Sequence, residues 1–276
     1  MTSYLTASGT VIYRLNRSVP GMLRNSFILL NGIGRQRELG LWSSGVLSWD
    51  DFIETPQIRG ISETRKTGMD GDLTIARDKL TAHDSEYFAS RIPSRDQWRC
   101  LGEFGGSVAY LDIETTGISP RSPITLVGIH DGKRTHTLTR GRDLNGRNIN
   151  AVLSSVDMIV TFNGASFDLP MIESQFPGSV PVRPHVDLKY PLRRLGHVGG
   201  LKNIERELGI ERDRRVEYMT GEDAVYLWRL WEKRGNKNAL DLLIEYNSED
   251  CRNLVSLASY AYRKLRATSF ERAALK

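Results

Sequence analysis

Cysteine is scarce. Cys100 and Cys251 are the only two in 276 residues, which gives no disulfide framework and no zinc spacing. Long apolar runs are missing too: no stretch of about 18 apolar residues is present to cross a bilayer. The N-terminus lacks the basic-then-apolar pattern of a secretion signal, so a cytoplasmic location and no membrane partner are the default expectations. Acidic excess is also absent. The net charge of +5 and a pI near 9.2 mildly favour a polyanionic partner. A slightly basic protein without such a partner has the same charge, so the balance alone does not decide. The length allows one or two domains, and 39% apolar with 26% charged residues is ordinary for a globular chain.

The most informative stretch is Val108-Ala109-Tyr110-Leu111-Asp112-Ile113-Glu114-Thr115-Thr116-Gly117. Val, Tyr and Ile favour strand, and Gly105-Gly106 and Gly117 punctuate its ends. Strand alternation puts Asp112 and Glu114 on one face. Two adjacent carboxylates repel and raise each other's pKa unless a cation lies between them, and a hard divalent ion suits oxygen ligands. A single D-x-E pair is weak, because surface strands also carry such pairs.

Downstream, Ile124 to His130 and Thr135 to Leu138 read as strands joined by an Asp131-Gly132 turn. A helix from about Asn148 to Ser154 and a buried strand, Met158 to Phe162, follow. Three antiparallel strands and then alternating helix and strand predict an α/β layered fold. After the buried strand comes Asn163-Gly164-Ala165-Ser166-Phe167-Asp168-Leu169-Pro170, a glycine turn into a helix, where Asp168 taken alone reads as a helix N-cap. Leu240 to Tyr262 is a long helical pattern in which Tyr246 and Asp250 stand one turn apart on one face. An aspartate facing packed structure is costly unless paired or metal-bound, whereas a core tyrosine is commonplace.

The first 106 residues read as a helical extension without repeats or low-complexity tracts. A short helix is predicted from near Gly34 to a stop at Gly45, and a second is capped by Ser48. Residues 55 to 70 read as a loop or linker, then Leu73 to Leu80 and Ser85 to Ile92 as helices, with Ser94 capping a further turn. Gly32-Ile33-Gly34 is similar to the hairpin of helix-hairpin-helix modules, whose backbone N–H groups hold a nucleic-acid phosphate. Arg35 and Arg37 would add charge. A hairpin that only packs a small subdomain fits the same residues.

Taken in order, D-x-E on a strand, N-x-x-x-F-D at a strand-to-helix turn and Y-x-x-x-D on a late helix resemble the DEDD exonucleases of the ribonuclease H-like folds, in their tyrosine version. Three stretches carry a narrower resemblance to the YprB-type ribonuclease H-like family: Leu111-Asp112-Ile113-Glu114-Thr115-Thr116-Gly117, Gly200-Leu201-Lys202-Asn203-Ile204-Glu205 and Tyr246-Asn247-Ser248-Glu249-Asp250-Cys251. The resemblance implies a mixed sheet flanked by helices over residues 107–276, with the helical extension before it. It implies a metal-dependent 3′–5′ exonuclease using two Mg²⁺ or Mn²⁺ ions, acting on DNA by preference or on RNA. On that pattern Asp112 bridges both ions, Glu114 and Asp250 hold the one that activates water, and Asp168 holds the other. Tyr246 orients the water, where some relatives have histidine. Thr115 and Thr116 contact the terminal nucleotide, and Asn163 and Phe167 steady the strand.

Residues 183–215 carry nine Lys and Arg, among them Arg193, Arg194 and Lys202, against five acids. Such a band suits phosphates leading into the site, and equally a solvated helical face. Asp187 reads as a cap or supporting acid rather than a ligand. Two other functions remain open on the residues alone: a structure-specific endonuclease on the same carboxylates, and a non-catalytic nucleic-acid-binding protein.

Overall fold

The structure is a computed structural model that describes residues 21–274, together with a short antiparallel pair, β1 (Tyr4–Leu5) and β2 (Val11–Ile12). The N-terminal region continues through a 3-10 turn, Leu23–Asn25, into α1 (Arg35–Ser43), α2 (Trp49–Glu54), α3 (Glu63–Thr81) and α4 (Ser85–Arg91). A 3-10 helix, Ser94–Cys100, then runs directly into α5 (Leu101–Phe104). The predicted details of the first two helices hold. Gly45 has φ +89° after α1, and Ser48 and Asp51 form a reciprocal capping box on α2.

Three N-terminal expectations need correction. Residues 63–70 are not a linker but the first half of α3. Ser94 makes no capping hydrogen bond. The arm before the Gly32 hairpin is the 3-10 turn and further hydrogen-bonded turns, not an α-helix. Only the second arm of a helix-hairpin-helix, α1, is present among the described residues.

The chain after residue 106 builds β3 (Val108–Thr115), β4 (Ile124–His130) and β5 (Thr135–Thr139), followed by α6 (Gly146–Leu153), β6 (Met158–Thr161), α7 (Asp168–Gln175) and β7 (His185–Asp187). Then come α8 (Lys189–Arg194), α9 (Leu201–Glu207), α10 (Gly221–Arg234) and the 38-residue α11 (Lys237–Ala274). The sheet order is β5-β4-β3-β6-β7, antiparallel through β5, β4 and β3 and parallel through β3, β6 and β7. This is a mixed sheet flanked by helices, as expected.

Alternation along β3 decides which side becomes the site. Ala109, Leu111 and Ile113 pack on one face with α6 and α7 through Ile149, Leu153, Met171 and Ile172. Val108 and Tyr110 face the other way, into a core shared with α11 through Leu254, Leu257 and Ala258. Asp112 and Glu114 continue that second face, towards α11. The same core contains Trp49, Phe52, Trp98 and Phe104 of the N-terminal region, so it runs unbroken across residue 106.

Candidate active site

Three acids converge. Asp112 and Glu114 on β3 and Asp250 on α11 offer ligand oxygens that all lie within 4.8 Å of one another. Asp168 joins them differently. It opens α7, but it does not cap that helix; its Oδ1 accepts the backbone N–H of Ile113 at 3.2 Å, between the two β3 acids. The N-cap reading of Asp168 is thereby replaced by a bond that fastens the turn after β6 to the strand carrying the acids.

Two features let α11 deliver Asp250, and neither was singled out in the sequence. Gly128 on β4 is the cross-strand partner of Asp112, and a Cβ there would stand 2.0 Å from Asn247 Oδ1 and 2.8 Å from Cys251 Sγ. The glycine therefore lets α11 lie directly on the sheet. Asn247, fully buried, donates from Nδ2 to Asp112 Oδ2 at 2.9 Å and to the Asp112 carbonyl at 3.3 Å. Its position in the Tyr246–Cys251 motif was visible in the sequence, but its partner was not.

Arg212 and Glu205 were also missed. Arg212 belongs to the basic band, yet its side chain is buried: Nε and Nη2 bind Glu205 at 2.5 and 2.8 Å, and Nη2 stands 2.5 Å from Asp250 Oδ1. Burial opposes the charge, but Asp250 and Glu205 outweigh it and hold the guanidinium protonated. A solvated face is therefore the wrong reading for Arg212. Lys202 on α9 donates to the Met219 carbonyl and places its ammonium 4.3 Å from the Tyr246 ring centre. These residues of α9 and the 209–220 loop line a cavity of about 630 Å³ that Tyr218 and Thr220 also border.

The electrostatics match the geometry. Burial first, and then the charges of Asp250, Asp168 and Glu114, push Asp112 well above the usual carboxylate range, with Asn247 opposing. Burial, Asp250 and Asp168 do the same to Glu114, opposed by Lys202. Asp168 is pushed up to about 7, mainly by burial. Asp250 is raised by burial and restrained by Arg212. Burial and the neighbouring acids also raise Tyr246, so its phenol stays protonated. Carboxylates packed so that each opposes the ionisation of the others could hold a divalent cation, whose charge would offset theirs. Asn247 Oδ1 and Arg212 Nη1 are additionally buried with no hydrogen-bond partner among the described residues. The donor set is all oxygen, as Mg²⁺ and Mn²⁺ prefer; Cys251 is a buried thiol whose pKa burial drives upward.

The sequence of residues 109–262 matches the family model RNase_H_2, of the RNase H superfamily. The chain belongs to that family. Among solved structures it is similar to the family B DNA polymerase from the hyperthermophilic archaeon Pyrobaculum calidifontis, with 20% identity, a TM-score of 0.46, and coverage of 55% of this chain and 24% of that one. It therefore spans about a quarter of that polymerase. A second structure, described as the apo form of a nuclease, shares 18% identity at a TM-score of 0.40 over 67% of this chain and 88% of the other. No curated protein matches. Membership of the RNase H superfamily supports nuclease activity on a nucleic-acid substrate, and divalent metals are general in its nucleases. No helix among the described residues is long and apolar enough to cross a membrane.

The remaining predicted residues fall into two groups. Thr115 and Thr116 lie at the end of β3, where Thr115 Oγ1 donates to the Gly117 carbonyl and the Thr116 N–H donates to Pro123. Asn163, at φ +66°, anchors the turn before Asp168. Asp187 accepts the N–H groups of Asn163 and Ala165 at 2.7 and 3.1 Å, while Lys189 donates to Asn163 Oδ1 at 2.8 Å. Asp187 is thus the supporting acid the sequence implied. Phe167 is half-buried on the far face of the sheet, with the α6 and α7 core. Gly32, at φ +78°, and Gly34, the N-cap of α1, do form a hairpin; the Gly32 carbonyl accepts from Arg37 at 2.7 Å. Arg35 does not add to a clamp there, because its guanidinium pairs with Asp96. Arg193 and Arg194 stand beside that pair rather than at the carboxylates.

Proposed function

We propose that the protein is a metal-dependent 3′–5′ exonuclease that hydrolyses phosphodiester bonds at the end of a nucleic-acid strand with two divalent ions. One observation carries this reading: β3 and α11 bring Asp112, Glu114 and Asp250 within 4.8 Å, and a third segment, the start of α7, bonds Asp168 to the backbone between the first two. Asp112, Glu114 and Asp250 would hold one ion, and Asp168 together with Asp112 the other. Bound there, the ions would supply a water deprotonated near neutral pH and charge to stabilise the attacked phosphate and the leaving oxygen.

The protein groups have separable tasks. Asn247 fixes the Asp112 carboxylate by donating to it. Glu205 fixes Arg212, which in turn balances Asp250. Tyr246, kept protonated, serves as a hydrogen-bonding group that orients the attacking water and is no general base. Lys202, held over that ring, contributes positive charge where a phosphate would arrive. The 3′ polarity and the ion count come from the likeness of the three motifs to DEDD exonucleases. The test uses strands labelled at the 3′ or the 5′ end, with Mg²⁺, Mn²⁺ or EDTA. Stepwise shortening from the 3′ end, abolished by EDTA, is expected. Internal cuts without end dependence would replace exonuclease by endonuclease action.

A further inference from the structure

A second cavity, of about 700 Å³, lies where the N-terminal region meets the nuclease half. The 3-10 helix supplies Ser94, Arg95 and Trp98, α1 supplies Arg35, and β7 with α8 supplies Val186, Tyr190, Arg193 and Arg194. The volume is that of a small-molecule site. Its chemistry is unusual for a junction between packed segments. Apolar and aromatic surface lines the interior, and four guanidiniums border it.

Those guanidiniums are organised. Asp96, with its side chain 1% exposed, draws Arg35 to 2.5 Å, Arg95 to 3.5 Å and Arg194 to 3.7 Å. Arg194 also lies 5.7 Å from the Trp98 ring centre. Asp187 also lines the cavity, so two carboxylates stand there among four arginines. Arg193 is exposed and makes no ion pair among the described residues. Trp98 is 2% exposed, and its ring N–H has no hydrogen-bond partner there. Tyr190, about half exposed, offers a ring face at the edge.

The cavity also lies on the way to the carboxylates. β3, β6 and β7 are parallel, so the end of β7 and the acid-bearing end of β3 share one edge of the sheet. Ala165, in the cavity wall, is three residues before Asp168. Three residues of chain span at most about 10 Å, which bounds the distance from this wall to the Asp168 backbone.

We propose that this cavity is a nucleotide subsite for the single strand whose end lies at the carboxylates. One base, set back from the end, stacks on Tyr190, and its flanking phosphates lie on the arginine border. Base stacking on an aromatic ring beside guanidiniums is how single strands are held without regard to sequence. The inference rests on the exonuclease reading for the identity of the strand, but not on turnover.

The test is the affinity of the full chain for fluorescent 12-nucleotide single strands of DNA and of RNA, measured by anisotropy in EDTA across a salt series. Tyr190 and Arg193 are exposed and can be changed without touching the Asp96 cluster. The Tyr190→Ala, Arg193→Ala double variant is expected to bind about tenfold more weakly, by analogy with stacking losses at such platforms. Its salt slope should fall by about 0.7, the value for one lost phosphate contact on a single strand. Arg234→Ala on α10 removes the same charge elsewhere and should leave affinity unchanged. Wild-type affinity in the double variant, an equal loss in Arg234→Ala, or no binding of either strand by the wild type would each overturn the subsite. Binding by the wild type without hydrolysis in Mg²⁺ or Mn²⁺ would instead sink the exonuclease reading.

Discussion

At the scale of single residues, the candidate site is a group of buried carboxylates that raise one another's pKa. Replacing Asp112 by alanine should cut hydrolysis on the order of a thousandfold or more, the scale of losing one preorganised transition-state group. The same change relieves repulsion on Glu114 and Asp250, so metal-free melting should hold or rise; normal turnover in the purified variant would remove Asp112 from the site. Tyr246→Phe keeps the ring beneath Lys202 and loses only the hydroxyl. A fall in kcat of roughly tenfold to a thousandfold with little change in KM is expected for a lost orienting contact, whereas unchanged kinetics would make Tyr246 a packing residue. Asp168 gives a pH signature. Its folded pKa of about 7 lies above its ordinary 3.8, so the folded state binds the extra proton. Its contribution is therefore fully present below about pH 4 and is lost as pH rises towards 7. Metal-free wild type should lose melting temperature over that interval more steeply than Asp168→Asn, and added Mn²⁺ should restore stability at the upper end. Identical pH slopes for the two proteins would contradict the raised pKa.

At the scale of elements, what the sequence made legible was what repeats. The D-x-E strand, the Asp131-Gly132 hairpin, the buried β6 and the long last helix all follow a period or a turn signature, and all are present. The four acids were legible because each sits in a spaced motif. α3 was half hidden for a physical reason. Its buried stripe is Lys66, Met69, Leu73 and Ala76, and the first member is a charged residue whose ammonium pairs with Asp70 at 2.7 Å and lies 5.0 Å from the Phe52 ring centre. A lysine buried in that way reads as solvent-facing, and Gly68 and Gly71 deepen the impression. Arg212 misled in the same way, because burial through Glu205 and Asp250 is a tertiary fact. Gly128 was illegible because its reason lies on another element, α11. Gly128→Ala should push α11 off β4 and cost about 1–3 kcal/mol, the usual scale of overpacking. Activity should fall further than stability, since Asn247 and Asp250 ride on the displaced helix; a variant with wild-type melting and turnover would show that the contact can relax.

At the scale of the whole molecule, α11 ties the two halves of the chain together. Its Asp250 end completes the carboxylate cluster, while further along Tyr262 lies 6.2 Å from Trp98 and Phe270 lies 5.3 Å from Trp42, ring centre to ring centre. Gly102 allows this approach, because a Cβ there would stand 2.1 Å from the Tyr262 hydroxyl. The N-terminal region therefore covers the far half of α11, and the apolar surface beneath it is part of one continuous core. A chain beginning near Gly105 would expose Tyr262 and Phe270, which Trp98 and Trp42 cover in the full chain, an aromatic surface of the kind that drives association. Such a truncation is expected to aggregate or to melt well below the full protein, and to lose turnover through loss of α11 order rather than through loss of any ligand. Arg193→Ala separates packing from binding in the intact chain: the residue is exposed, and its loss leaves both the apolar core and the Asp96 cluster in place. Wild-type melting with weaker strand affinity is the expected pair of results. A soluble truncated chain of full stability would show instead that the N-terminal region is an appendage, and that α11 holds its place on the sheet alone.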